Sequence, residues 1–101
     1  MKLTLAQGQK IAEYYIAEKI RQSEFLSRYE FSPLLGMQSE NARFWTFMKG
    51  SAELVDEGII PGAVYACVDK HTGRVWTMGE VEAYYTAEAA ARQAQPDSVA
   101  A

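Results

Sequence analysis

The chain has a single cysteine, a single histidine and no long apolar run, and these absences exclude several classes of protein. One cysteine can form neither an internal disulfide nor a thiolate metal cluster. Cys67 lies in a predicted strand, where a free cysteine is most often a small buried apolar residue. No stretch reaches the roughly 20 apolar residues of a transmembrane helix, and the N-terminal apolar stretch is too short for a signal peptide. We therefore expect no membrane contact and a cytoplasmic location.

Basic residues are also too few for a nucleic-acid-binding protein. The 101-residue chain has a net charge of −3. Residues 1–50 hold seven Lys and Arg against five Asp and Glu, whereas residues 51–101 hold three against eight. A nucleic-acid-binding protein needs a basic patch to replace phosphate counterions, and we expect no such partner. The acidic second half favours a basic partner, although a solvated acidic surface is the more common explanation.

Residues that could carry catalysis are scarce. His71 lies in a predicted hairpin turn, where an exposed, solvated side chain is far more common than a ligand or a base. Cys67 has no sequence partner that resembles a nucleophile–base pair. The glycines are spaced as turn residues and match no phosphate-binding loop. The sequence therefore predicts no enzyme, and neither a cofactor nor a metal.

The clearest structural signal is a β-hairpin over residues 61–79. Two runs rich in β-branched and aromatic residues flank D-K-H-T-G, in which Gly73 can adopt the left-handed conformation that closes the turn. The pairs that this register predicts are Asp69 with Arg74, Val68 with Val75, Cys67 with Trp76, and Tyr65 with Met78. Both faces of the hairpin are apolar, so we expect each face to be covered.

Helices are predicted on both sides of this hairpin. A capping box at Thr4 and Gln7 begins an amphipathic helix at about residues 4–28. Residues 36–41 are predicted to be a polar loop and residues 42–48 a strand. Residues 51–58 are either a short helix, capped by Ser51 and ended by Gly58, or a short strand. Residues 80–95 favour a helix by propensity, and residues 96–101 form a flexible tail.

These elements predict one α+β domain over residues 1–95. We expect a three- or four-stranded antiparallel sheet, with the long N-terminal helix packed across one face and the C-terminal helix beside it. A helix layer on a sheet is the common way to bury an apolar sheet face, which is what the hairpin requires.

Two groups of residues are candidates for contact with a partner. Trp45, Phe47, Tyr65 and Trp76 lie in segments predicted to pair in one sheet, where they are either core beneath the helices or a protein-binding or self-association face. Glu53, Asp56 and Glu57 form the densest acidic cluster, in the least regular segment of the chain. As surface carboxylates, they should contribute little to thermal stability.

The order of motifs resembles that of the small bacterial YrhB-like immunity proteins. An N-terminal helix is followed by F44-W-T-F47, by I60-P-G62, by V68-D-K-H-T-G-R-V75 and by a final helix. The family shows a similar W-x-F strand and a V-D-K-x-T-G-x-V hairpin, so the resemblance spans about residues 3–90. It implies an α+β fold and a toxin-neutralising or chaperone-like binding role, without catalytic residues.

The favoured function is a small cytoplasmic protein-binding domain, an immunity protein that blocks a toxin by direct contact. A basic toxin domain is the partner that the acidic cluster favours. The alternative is a homodimer or larger homo-oligomer that uses the second sheet face as its subunit interface. A third candidate is a small-molecule-binding or catalytic domain with a pocket between helix and sheet.

Overall fold

The first helix, α1, spans Leu5–Gln22 and begins at the predicted capping box. The computed structural model of the protein describes residues 2–94. The Thr4 hydroxyl accepts the Gln7 N–H at 3.2 Å, and the Gln7 side chain accepts the Thr4 N–H at 2.8 Å. The helix ends earlier than predicted, because the Ser23 hydroxyl accepts the Leu26 N–H and begins a separate 3-10 turn, Leu26–Arg28.

Four antiparallel strands form one sheet in the order β1-β2-β3-β4. They are β1 (Gly36–Glu40), β2 (Phe44–Gly50), β3 (Ala63–Asp69) and β4 (Val75–Trp76). The presence of β1 corrects the prediction of a polar loop at 36–41. All five of its residues are exposed, so the strand has no buried apolar face and is held by backbone pairing with β2 at the sheet edge.

The β3–β4 hairpin confirms most of the predicted register. Val68 pairs with Val75, and Cys67 pairs with Trp76. Gly73 has a φ of +76°, the left-handed value that the turn requires. The predicted pair of Tyr65 with Met78 is wrong, because the chain leaves the sheet after Trp76.

Two further helices flank the hairpin. The helical alternative for residues 51–58 is confirmed: α2 spans Ala52–Asp56, with Ser51 as its N-cap. The C-terminal helix, α3, spans Met78–Gln93 and begins with a capping box between Thr77 and Glu80. The predicted helix end at residue 95 and the tail at 96–101 lie outside the described residues. Over the described part of the chain, none of the helices combines the length and the apolar character needed to cross a bilayer.

Helix α1 covers one face of the sheet and forms the main core with it. The buried residues of this core come from α1, β2 and β3: Ala12, Ile16, Trp45, Phe47, Ala66 and Val68. Gly8 brings the α1 backbone against the Trp45 ring, since a Cβ atom at this position would lie 2.5 Å from two ring carbons. A glycine inside a helix is unfavourable by propensity, and here the close approach of helix and ring requires it.

Helix α3 lies on the opposite face of the sheet, which corrects the prediction that it packs beside α1. Its Tyr84 ring packs edge-on against Phe44 and Trp76, both of which point away from α1. From Thr86 to Ala94 every residue is exposed. The fold is therefore α+β with both sheet faces in contact with a helix, but α3 packs through its first half alone.

We predict that Gly8→Ala destabilises the protein, although the same change in an ordinary helix interior is stabilising by about 1 kcal/mol. The added methyl group would overlap the buried Trp45 ring, and overpacking of this kind typically costs about 1–3 kcal/mol. Urea unfolding measures the change. In a Trp45→Leu background the penalty should disappear. A stabilising effect of Gly8→Ala in the original chain would contradict this packing.

We also predict that Gly73→Val destabilises the protein clearly more than Gly73→Asn. Both residues are strained at positive φ, but asparagine tolerates the left-handed region far better than a β-branched residue. A Cβ atom at this position would also lie 3.1 Å from a Leu3 methyl carbon and 3.2 Å from one of Ile11. Urea unfolding of the two variants is the measurement, and equal losses would show that the turn conformation does not govern stability here.

Candidate protein-binding surface

The structure places two of the predicted contact residues inside the protein. Trp45 is 5% exposed and Phe47 is 1% exposed, beneath Ala12 and Ile16 of α1. Alternate residues of β2 share a face, and α1 covers the face that carries these two rings. The prediction that Trp45 and Phe47 contact a partner is therefore corrected: both are core residues.

Tyr65 and Trp76 lie on the other face of the sheet, and both are half-buried. Tyr65 pairs with Met48 across β2 and β3. Trp76 belongs to an aromatic cluster with Phe44 and Tyr84, whose ring centroids lie 5.0 and 5.7 Å from its own. The geometry gives Trp76 a clear packing role, because α3 covers it.

Two guanidinium groups flank the Trp76 ring. The central carbon of the Arg43 guanidinium lies 5.4 Å from the ring centroid, and that of Arg74 lies 4.7 Å from it. Both arginines are held by carboxylates, Arg43 by Asp69 and Arg74 by Glu80. Their charges are therefore already paired, and the cluster does not form a free anion site.

Asp69 is a buried carboxylate that joins the hairpin turn to β2. Its Oδ1 accepts the backbone N–H groups of His71 and Thr72 at 2.8 and 3.2 Å. Its Oδ2 accepts Nε and Nη2 of Arg43 at 3.1 and 3.0 Å, and Arg43 Nη1 donates to the Tyr84 hydroxyl at 3.2 Å. Burial alone would raise the pKa of Asp69, but these hydrogen bonds outweigh it and hold the pKa below its ordinary value.

The remaining reactive residue types have structural surroundings. The Cys67 thiol is buried between the Thr46 hydroxyl and the Met78 sulfur, and burial raises its pKa, which disfavours the reactive thiolate. His71 is exposed in the hairpin turn. Within residues 2–94, no cluster of three or more His, Cys, Asp and Glu side chains is placed to hold a metal ion. The absence of an enzymatic activity stays a prediction.

The acidic cluster lies in residues 51–62, a segment between β2 and β3 whose two ends are joined by a backbone hydrogen bond. The Ser51 N–H donates to the Gly62 carbonyl at 2.9 Å, and the Ile59 N–H donates to the Leu54 carbonyl at 3.0 Å. The Leu54 side chain is buried and anchors α2 to the protein interior. This arrangement fixes the backbone of 51–62 and leaves the acidic residues of α2 in solvent.

Two of the three carboxylates also support the neighbouring segment. Glu53 accepts the backbone N–H of Glu30 at 2.6 Å, and Glu57 accepts the Tyr29 hydroxyl at 2.8 Å. The bond to Glu57 raises the pKa of Tyr29. The expectation that the cluster contributes little to stability therefore fits Asp56, which is exposed and has no such contact, but not Glu53 or Glu57.

Apolar side chains that the sequence reasoning missed are exposed beside these carboxylates. Val55 is 64% exposed and Ile60 is 93% exposed. Ile59 is half-buried whereas Ile60 is exposed, and no sequence pattern distinguishes the two isoleucines. We call Glu53, Val55, Asp56, Glu57 and Ile60 together the α2 surface.

The second sheet face, predicted as an alternative subunit interface, is already occupied over part of its area. Met78 of α3 contacts Cys67, and the α3 aromatics contact Phe44 and Trp76. Met48 and Tyr65 remain half-buried on this face. Self-association through this face stays a prediction, with a smaller free area than the sequence suggested.

Comparison of the chain with family models, with curated proteins and with solved structures found no match.

We predict that the protein loses stability as the pH falls below about 4, and that Asp69 supplies part of this loss. A group whose pKa is lower in the folded state stabilises the fold above its unfolded pKa, about 3.9 for Asp, and the contribution disappears as the pH falls through the folded pKa. Asp69→Asn should lower the free energy of unfolding by about 3 kcal/mol at neutral pH. It should also make the decrease of this free energy at low pH smaller, as measured by urea unfolding between pH 2 and pH 7.

Asp56→Asn is the matched control for this change. Asp56 is exposed, and its side chain accepts no hydrogen bond from residues 2–94, so its variant should keep the stability of the original protein both at neutral pH and in acid. If Asp69→Asn lost as much stability between neutral and acid pH as the original protein does, the assigned role of the buried carboxylate would be contradicted.

Proposed function

We propose that the chain is a small protein-binding domain that neutralises a toxin by direct contact, and that the α2 surface makes this contact. The observation that carries the proposal is Ile60, an isoleucine side chain held 93% exposed on a segment whose backbone is fixed on both sides. A rigid, exposed apolar residue is suited to fill a pocket on another protein without a large loss of conformational entropy.

The charges around Ile60 indicate the kind of partner. Glu53, Asp56 and Glu57 place three carboxylates on α2, and no Lys or Arg occurs between residues 50 and 69. Such an acidic rim attracts a basic surface, which raises the association rate, whereas the apolar contacts slow dissociation. A basic toxin domain therefore fits the surface better than an acidic one.

The resemblance of V68-D-K-H-T-G-R-V75 to the YrhB-like hairpin supports the same class of function, because those proteins are immunity proteins. The hairpin itself has a packing role here, through Asp69 and Trp76, and is not the contact surface. The contact residues are instead those of the α2 surface, which lies outside the matched motif.

The test begins with a search of the neighbouring genes for one whose product is toxic when it is produced alone, and that product is the probe. We expect co-production of the chain to protect cells, and Ile60→Asp to abolish protection and weaken binding at least about tenfold, a change typical of a central apolar contact. Asp56→Lys should slow association and reduce its dependence on salt, as measured by stopped-flow at two ionic strengths. Both side chains are exposed, so both variants should fold normally.

Leu34→Asp is the matched control, because Leu34 is also an exposed apolar residue, at 77%, but lies before β1. This variant should protect cells and bind as the original chain does. Toxicity that persists in the presence of the original chain would overturn the proposed function. Binding that survives both Ile60→Asp and Asp56→Lys would overturn the assignment of the α2 surface.

A further inference from the structure

Within residues 2–94, strand β4 is an edge of the sheet, and one of its residues turns both of its backbone groups away from β3. The Asp69 N–H donates to the Arg74 carbonyl and the Asp69 carbonyl accepts the Gly73 N–H, so both backbone groups of Asp69 point toward the β4 side. In an antiparallel ladder the next pair, Val68 with Val75, is then a non-hydrogen-bonded pair. The N–H and C=O of Val75 therefore point away from β3, and no strand within residues 2–94 lies on that side.

An apolar groove of about 410 Å³ lies beside this edge. Its wall on one side is Val75, and α1 supplies the rest: Lys10, Ile11, Tyr14, Tyr15 and Glu18. Tyr14 is 72% exposed, although it is a large aromatic residue. The groove lies between α1 and the edge strand β4, so a chain added at this edge would contact its apolar lining.

We propose that a second copy of this chain occupies the groove, in a two-fold dimer that joins the β4 edges of the two sheets. Only Val75 offers both backbone groups, so a long foreign strand would gain few hydrogen bonds here. A two-fold axis beside Val75 instead lets the Val75 N–H of each copy donate to the Val75 carbonyl of the other. The two sheets become one antiparallel sheet of eight strands.

The charges along α1 are complementary under the same symmetry. Lys10, Tyr14 and Glu18 follow one another at intervals of four residues, so Lys10 and Glu18 lie about 6 Å on either side of Tyr14 along the helix axis. A two-fold axis through the groove sets the two α1 helices antiparallel, with Tyr14 meeting its copy. Each Lys10 then lies opposite Glu18 of the second copy. A foreign peptide with charges of one sign would be attracted at one end of the groove and repelled at the other.

Lys10 is available for this contact. It is exposed, and it has no ion-pair partner among residues 2–94. Glu18 binds Arg21 at 2.6 Å and is partly exposed, so it can accept a second cation. The dimer leaves the α2 surface uninvolved, since its residues line no part of the groove.

The first test is the mass of the purified chain in solution by sedimentation over a wide concentration range. We expect a reversible dimer, with twice the 11.3 kDa mass of the chain. Tyr14→Lys places like charges on the axis and should yield a monomer with unchanged circular dichroism. Leu34→Lys, which alters an exposed apolar residue before β1, at the opposite edge of the sheet, should remain dimeric.

The second test uses two charge reversals. Lys10→Glu and Glu18→Lys each place like charges opposite one another at both ends of the α1 pair, so each should weaken self-association about tenfold or more. A mixture of these two variants restores opposite charges at both ends. We therefore expect the mixture to form a heterodimer that is tighter than the homodimer of either variant.

A chain that stays monomeric at every concentration would overturn the proposal, as would a dimer that Tyr14→Lys leaves intact. Failure of the mixture to associate more tightly than its components would also overturn it. A monomeric chain whose protein partner is lost in Tyr14→Lys but kept in Ile60→Asp would show that the groove takes a foreign strand instead. The three outcomes that concern self-association do not depend on whether the α2 surface binds a toxin.

Discussion

The buried carboxylate of Asp69 is the interaction on which the rest of the structure depends. Its two oxygens accept hydrogen bonds from the hairpin turn and from Arg43, and Arg43 continues to the Tyr84 hydroxyl on α3. One side chain therefore connects a turn, the beginning of β2 and the helix on the second sheet face. Such a network is stable while every member is paired, and it links the placement of α3 to the ionisation of Asp69.

The features that could be predicted from sequence are those set by neighbouring residues. Gly73 is the residue that the turn needs, and the turn then fixes Val68 opposite Val75. The capping box at Thr4 and the N-cap at Ser51 depend on side chains within three residues of the helix start. These local preferences identified the α+β class and the order of its elements, because they act in the same way in any tertiary context.

The features that sequence reasoning missed depend on contacts between distant segments. Strand β1 has no apolar pattern, and its pairing with β2 makes it a strand. The side of the sheet that α3 covers follows from Tyr84 and its contacts with Phe44 and Trp76. The candidate site changed for the same reason: Trp45, a candidate contact residue by sequence, is buried under α1, whereas Ile60, which the sequence did not single out, is exposed.

Helix α3 combines an anchored first half with a second half that packs against nothing in the described structure. Its amides beyond Tyr85 are protected by helical hydrogen bonds alone, and an unsupported helix of this length is marginal in water even when rich in alanine. Hydrogen exchange should therefore be fast at Thr86–Gln93 and slow near Val81, with no unfolding of the sheet. The domain thus has two levels of stability within a single helix, and the boundary between them is the point where the aromatic cluster ends.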